Sequence, residues 1–104
     1  LSEFQAQVVM RAVMEALVSC HARYYVHRDV KPSNLLLFNR DLNSIKLADF
    51  GIAAEDNGYS CVGGIKGTKG YMAPEILKKR QYGRPADIFS AGILTSTLFN
   101  NKPP

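Results

Sequence analysis

Cysteine is scarce in these 104 residues: Cys20 and Cys61 stand alone and far apart. That spacing excludes a CxxC-type metal knuckle and gives no support to a disulfide framework, so a reducing compartment is the simpler setting. Long apolar runs are missing as well; none approaches the length of a membrane span, and the N-terminus carries neither a basic leader with an apolar core nor a small-residue cleavage site. No repeat and no low-complexity linker interrupts the chain. Long runs of one charge are also absent; the longest basic one is Lys78-Lys79-Arg80. Thirteen basic residues against nine acidic ones give a net charge of +4, but the Lys and Arg are scattered among acids and lack interleaved aromatics. The expectation is therefore no nucleic-acid partner, no membrane partner and a cytoplasmic location by default.

What is present is an ordinary globular composition, 46% hydrophobic and 21% charged, sufficient for one domain at most. The sequence opens on Leu1 rather than Met and closes on Pro103-Pro104, from which a piece of a longer chain is expected. Ser2 and Gln5 have the spacing of a capping box, and Phe4, Val8, Ala12, Val13, Ala16, Leu17 and Cys20 recur at helical intervals, predicting an amphipathic helix from about Glu3 to Cys20. An irregular polar stretch, 26–34, follows. Two short apolar runs, Leu35 to Phe38 and Ile45 to Ala48, flank a turn rich in Asn, Asp and Ser and read as a small β-hairpin. Residues 49–68 are glycine-rich and aperiodic, which predicts a long loop of the kind that is functional or mobile in compact domains. Pro74 opens a predicted short helix, Ala73 to Lys79, and Pro85 opens another. The stretch from Ala86 to Phe99 is apolar nearly all round, which suits the middle of a larger protein. Asp87 is its sole charge, and a buried acid there needs partners to offset desolvation.

Chemistry-bearing residues gather in four stretches: His27-Arg28-Asp29-Val30-Lys31-Pro32-Ser33-Asn34, Asp49-Phe50-Gly51, Gly67-Thr68-Lys69-Gly70-Tyr71-Met72-Ala73-Pro74-Glu75 and Asp87-Ile88-Phe89-Ser90-Ala91-Gly92. Singly, each has an ordinary reading. The first could be a polar surface loop, Asp49 a turn residue, and the third a loop running into a proline-started helix. In this order and at these spacings they resemble the eukaryotic-type protein kinase family, matching its H-R-D-x-x-x-x-N, D-F-G, A-P-E and D-x-W-S-x-G patterns, with Phe89 in place of the usual Trp. The resemblance spans essentially the whole chain.

It implies an α+β fold, mainly helical: a partial kinase domain over residues 1–104, with the large-lobe catalytic loop, a small β-hairpin, a long activation segment and the central helix, but without the small ATP-clamping lobe. Phosphoryl transfer to a hydroxyl requires a carboxylate to orient the attacking oxygen and accept its proton, the role the resemblance gives Asp29. It also requires positive charge where negative charge develops, which Lys31 supplies. Asn34 and Asp49 would be the oxygen ligands of Mg²⁺ and, with Lys31, would hold ATP. Thr68 would bridge Asp29 and Lys31. His27, Arg28, Phe50, Gly51, Glu75 and Asp87 would give structural support, Asp87 by accepting hydrogen bonds from the backbone of the catalytic loop.

Lys31 two residues after Asp29, together with the Gly67-Thr68 pair, is similar to the serine/threonine class. The apolar helix and the 100–104 ending are similar to those of calcium/calmodulin-dependent and related kinases, without fixing a subfamily. Arg28 marks kinases whose catalytic loop can pair with a phosphorylated activation segment. The usual acceptor position is Gly64 here, leaving Ser60, or Tyr59, as candidate phosphosites. The leading expectation is a kinase that uses ATP and Mg²⁺ on a protein substrate. The alternatives are a non-catalytic kinase-like binding module or a truncated, inactive relic, and the isolated chain is expected to fold poorly and show negligible activity. Pathway and oligomeric state stay open.

Overall fold

A computed structural model describes residues 2–37, 45–48, 53–55, 65–78 and 82–100. Asp49, Phe50, Gly51, Tyr59, Ser60, Cys61 and Gly64 lie outside the described residues, as does the 101–104 ending. The order is helix α1 (Glu3–Ala22), strand β1 (Tyr25–Val26), a 3₁₀ turn (Pro32–Asn34), strands β2 (Leu35–Leu37), β3 (Ile45–Leu47) and β4 (Ala54–Glu55), short helix α2 (Pro74–Leu77) and helix α3 (Pro85–Asn100).

Helix α1 starts where its capping box places it. Ser2 Oγ accepts from Gln5 N at 3.0 Å while Gln5 Oε1 accepts from Ser2 N at 2.9 Å, so two otherwise orphaned donors are satisfied reciprocally. The helix runs two residues past the predicted end, to include His21 and Ala22. Its buried stripe is Ala6, Val9, Val13, Leu17 and Cys20, at steps of three and four. Phe4, expected on that stripe, is 74% exposed, because at 100° per residue it lies opposite Ala6. Burying a side chain such as Leu17 contributes about 1.5–3 kcal/mol.

Strands β2 and β3 pair antiparallel as predicted, with Leu35 opposite Leu47 and Leu37 opposite Ile45, and the predicted turn between them, with Phe38, lies outside the described residues. One strand pairing escapes the sequence pattern: β4, inside the predicted long loop, pairs antiparallel with β1, Tyr25 opposite Glu55 and Val26 opposite Ala54. Two residues a side are too few to show a period, so only tertiary packing reveals it. Helix α2 is shorter than predicted, ending at Leu77.

Among the described residues, two apolar clusters make the core. Val9, Val13, Leu17, Val30, Leu47 and Leu94 belong to the larger one, where α1 packs on α3 and on the β2–β3 hairpin. Val26, Ala73, Ile76, Tyr82 and Ala86 form the second. The 27–34 loop runs between them. Val26 is fully buried in one cluster and Val30 in the other, so hydrophobic burial pins the loop at both sides while the polar residues between them stay in place. Helix α3 buries Ala86, Asp87, Ser90, Ala91 and Leu94, whereas Ile88, Phe89 and Phe99 are exposed by 40% or more. Among the described residues no helix is long and apolar enough to cross a membrane.

Candidate active site

Arg28 sits at φ 73°, a left-handed conformation that an L-residue with a long side chain rarely adopts. Such strain costs on the order of 1–3 kcal/mol and persists only where the surroundings over-determine it. Here they do. Asp87, fully buried in the first turn of α3, accepts from His27 N at 2.8 Å through Oδ2 and from Arg28 N at 2.9 Å through Oδ1. A third donor, His21 Nε2 in the last turn of α1, reaches Asp87 Oδ2 at 2.8 Å. Hydrogen bonds to a charged acceptor contribute about 1.5–3 kcal/mol each, and the partly positive helix N-terminus favours the carboxylate further.

The Arg28 carbonyl lies close against the backbone at Gly67. Gly67 has φ 127°, and a Cβ built on it would lie 2.7 Å from Arg28 O, so only glycine lets the two backbones meet. The Arg28 side chain donates from Nη1 to Tyr82 Oη at 3.1 Å.

His27 is fully buried and holds the loop from within. Its Nδ1 accepts from Asp29 N at 3.0 Å and its Nε2 meets Ala48 O at 2.8 Å, which assigns the proton to Nε2. The loop is thereby tied to the end of β3.

Asp29, Lys31 and Thr68 come together. Thr68 Oγ1 donates to Asp29 Oδ1 at 2.6 Å, Lys31 Nζ donates to Thr68 Oγ1 at 2.7 Å, and Lys31 Nζ lies 3.6 Å from Asp29 Oδ2. All three are partly exposed, so a carboxylate and an ammonium face solvent side by side in a fixed frame. Thr68 arrives there through a turn closed by Tyr71 N on Thr68 O, and Ser90 Oγ of α3 holds Tyr71 O at 2.6 Å. Asp87 and Ser90, one helical turn apart, thus hold the two segments that supply the cluster.

Asn34 is buried beside it. Its Nδ2 donates to Asp29 O at 2.6 Å and its backbone carbonyl accepts from Ala48 N at 2.8 Å. With Nδ2 committed, the side-chain oxygen is the atom suited to a hard cation. Glu75, half-buried in the first turn of α2, takes no part in these hydrogen bonds.

Sequence reasoning missed His21, Tyr82 and the contact between Gly67 and Arg28. His21 follows the predicted helix end, where a histidine reads as an ordinary C-terminal cation. Cys20 next to it is buried and donates to Tyr25 O at 3.3 Å. Burial, then the Asp87 charge, push its thiol up to about 11 against a smaller pull from Arg23, so it is protonated near neutral pH and no nucleophile. A groove of about 760 Å³ between α1, β1 and β3 is lined by Ala12, Ala16, Cys20, Tyr25 and Leu47 among others, and by none of Asp29, Lys31, Asn34 or Thr68.

A family model described as the protein kinase domain matches residues 1–104. Three curated relatives are each 41% identical over 99% of this chain: calcium/calmodulin-dependent protein kinase type II of Caenorhabditis briggsae and of Caenorhabditis elegans, and the type II alpha chain of Drosophila melanogaster. The chain spans only 20%, 14% and 20% of their respective lengths. Its mixture of helices and small sheets is compatible with a kinase-domain fragment, and on the full-length family match this chain belongs to the protein kinase family.

Proposed function

We propose that this chain is part of the catalytic domain of a protein serine/threonine kinase, from the catalytic loop to the central helix of the large lobe, with residues 49–75 as its activation segment. The observation that carries this reading is the Asp29–Thr68–Lys31 cluster, a carboxylate and an ammonium bridged by one hydroxyl at 2.6 and 2.7 Å. Asp29 orients the substrate Ser or Thr hydroxyl and takes its proton. The hydroxyl oxygen forms a bond to the γ-phosphorus of ATP as the bond to the departing ADP oxygen breaks. Lys31 places its charge beside the transferred group, where negative charge develops. Thr68 fixes the distance between the two, and its backbone forms part of the floor for the substrate residue. Asn34 Oδ1 and the Asp49 carboxylate would hold Mg²⁺, which when bound neutralises phosphate charge. Asp87 and His27 keep the loop in register.

Lys31 beside Asp29, with Thr68 after Gly67, supports serine and threonine as acceptors rather than tyrosine. ATP and a protein are the implied substrates. Incubation of the full-length protein with Mg²⁺, γ-labelled ATP and a mixed peptide library tests this. Label is expected on serine and threonine, and Asp29→Asn is expected to lower the rate by roughly 10²–10⁴-fold. Absence of transfer, label on tyrosine alone, or an unchanged rate in Asp29→Asn would overturn the reading.

A further inference from the structure

The backbone that brings Thr68 to Asp29 also carries a pair of lysines. Lys66 precedes Gly67, Lys69 follows Thr68, and both are exposed. The segment is tied down along its length. Gly67 lies against the Arg28 carbonyl, Tyr71 N donates to Thr68 O at 3.0 Å, and Ser90 Oγ donates to Tyr71 O at 2.6 Å. Between Thr68 and Tyr71 the chain makes a tight turn, with Lys69 as its first central residue and Gly70, at φ 95°, as its second, where such a turn favours glycine. Consecutive Cα atoms are about 3.8 Å apart, so each lysine leaves the backbone one residue from a group that touches the 27–29 loop.

The charge of these lysines is not offset nearby. Neither ammonium belongs to an ion pair among the described residues, where the pairs are Arg11–Glu15, His21–Asp87 and Lys31–Asp29. Residues 65–72 include no acid, and the sole acid of residues 27–34 is Asp29, which Lys31 faces at 3.6 Å. Asp87 is fully buried and already accepts from His21, His27 and Arg28. Glu75, the next acid after Thr68, sits half-buried in α2. Asp49 is assigned to Mg²⁺ on the kinase reading. The place of the acceptor hydroxyl is thus bordered by excess positive charge on the side of residues 65–72. Lysine is a compact charge on a flexible stem, suited to meeting a carboxylate whose position varies from one peptide to the next. Like charges brought there would be repelled.

We propose that Lys66 and Lys69 are specificity-determining residues, selecting acidic peptides that carry Asp or Glu close to the accepting Ser or Thr and disfavouring those with Lys or Arg there. An extended peptide advances about 3.3–3.6 Å per residue, so the positions concerned are those within about three residues of the acceptor, roughly 10 Å of chain. This rests on the kinase reading above and adds the class of substrate to it. Exposed lysines are ordinarily no more than a solvated face. What sets this pair apart is its attachment to backbone fixed beside Asp29, with no acid to balance it.

Matched peptides presented to the full-length protein test this, with one Ser acceptor flanked by Asp, by Asn or by Lys. The kcat/KM of the Asp peptide is expected to exceed that of the Asn peptide by roughly 2- to 20-fold, the scale of two exposed ion pairs, and that of the Lys peptide to fall below both. Raising the ionic strength should shrink the preference. With Lys66→Gln and Lys69→Gln combined, the Asp-to-Asn ratio is expected to fall toward one, and with Lys66→Glu and Lys69→Glu the Lys peptide becomes the better substrate. Each ratio is taken within one preparation, so a change in folded fraction does not move it. A parent protein that prefers the Asn or the Lys peptide, or a ratio left unchanged by the Gln pair, would overturn the proposal. Fluorescence anisotropy of the same peptides with Ala in place of the acceptor gives a readout that needs no transfer: the Asp peptide binds most tightly, and the Gln pair removes its advantage. If no peptide is phosphorylated, the kinase reading fails, and the anisotropy titration still decides whether this surface selects acidic peptides.

Discussion

The two long helices begin in contrasting ways. At α1, Ser2 and Gln5 are exposed and satisfy only each other, closing the first turn on itself. At α3, the first amides are satisfied by backbone carbonyls, which frees the side chain of Asp87 for partners 59, 60 and 66 residues away. An oxygen in the first turn is thus a local cap in one helix and a long-range strut in the other. The difference follows from surroundings: an exposed cap competes with water, whereas a buried carboxylate must find donors or pay its full desolvation.

The largest test of this contrast is Asp87→Ala. It orphans the buried N–H groups of His27 and Arg28, at about 1–3 kcal/mol each, so a loss of roughly 2–6 kcal/mol is expected in urea unfolding of the full-length protein. On the proposed kinase reading, phosphoryl transfer should fall to background. Asp87→Asn sharpens the point, because an amide has one acceptor oxygen and must turn its NH₂ toward a donor; an intermediate loss is expected. A cost below about 1 kcal/mol for the alanine variant would erase the distinction between strut and cap.

Gly67→Ala comes next in size, and asks whether Arg28 is held from both sides. Alanine meets two penalties there, a φ of 127° and a Cβ 2.7 Å from Arg28 O. A loss of about 1–3 kcal/mol is expected from the backbone strain, seen as a lower melting temperature. Because Thr68 is the next residue, the rate should drop by more than the folded fraction accounts for. A rate that simply tracks the folded fraction would mean that the 67–68 backbone has room to shift without disturbing the Asp29–Thr68 bond.

How much of this was legible in the sequence depends on the range of the interaction. The capping box, the hairpin and the proline-started helices are local, and residues within a few positions of each other predict them. The stripe of α1 was rotated by Phe4, because hydrophobicity alone does not say which of two apolar faces meets the core. The β1–β4 pairing was illegible because each strand has two residues and the partners are 28 or more positions apart. In the site, Asp29, Lys31, Asn34 and Thr68 could be named because their motifs resemble those of a known family, but the His21–Asp87 and Gly67–Arg28 contacts have no short-range signature. Gly92 has no packing account at all: a Cβ there meets nothing within 4 Å.

The smallest expected effect belongs to the local cap. Ser2→Ala removes the acceptor for Gln5 N and leaves one first-turn donor to water, which is available because both residues are exposed. A loss of about 1 kcal/mol is expected, within the usual 0.5–2 kcal/mol range for such caps, measured by urea unfolding. Transfer rate and KM should not change, since the first turn of α1 is more than four turns from His21 and shares no hydrogen bond with the 27–34 loop. The double variant Ser2→Ala with Gln5→Ala should add little beyond the single one, because the box is reciprocal and its second bond loses most of its geometry with the first. A change in kcat with Ser2→Ala would show that the cap reaches the site through α1 after all, and the two helix starts would then differ in distance rather than in kind.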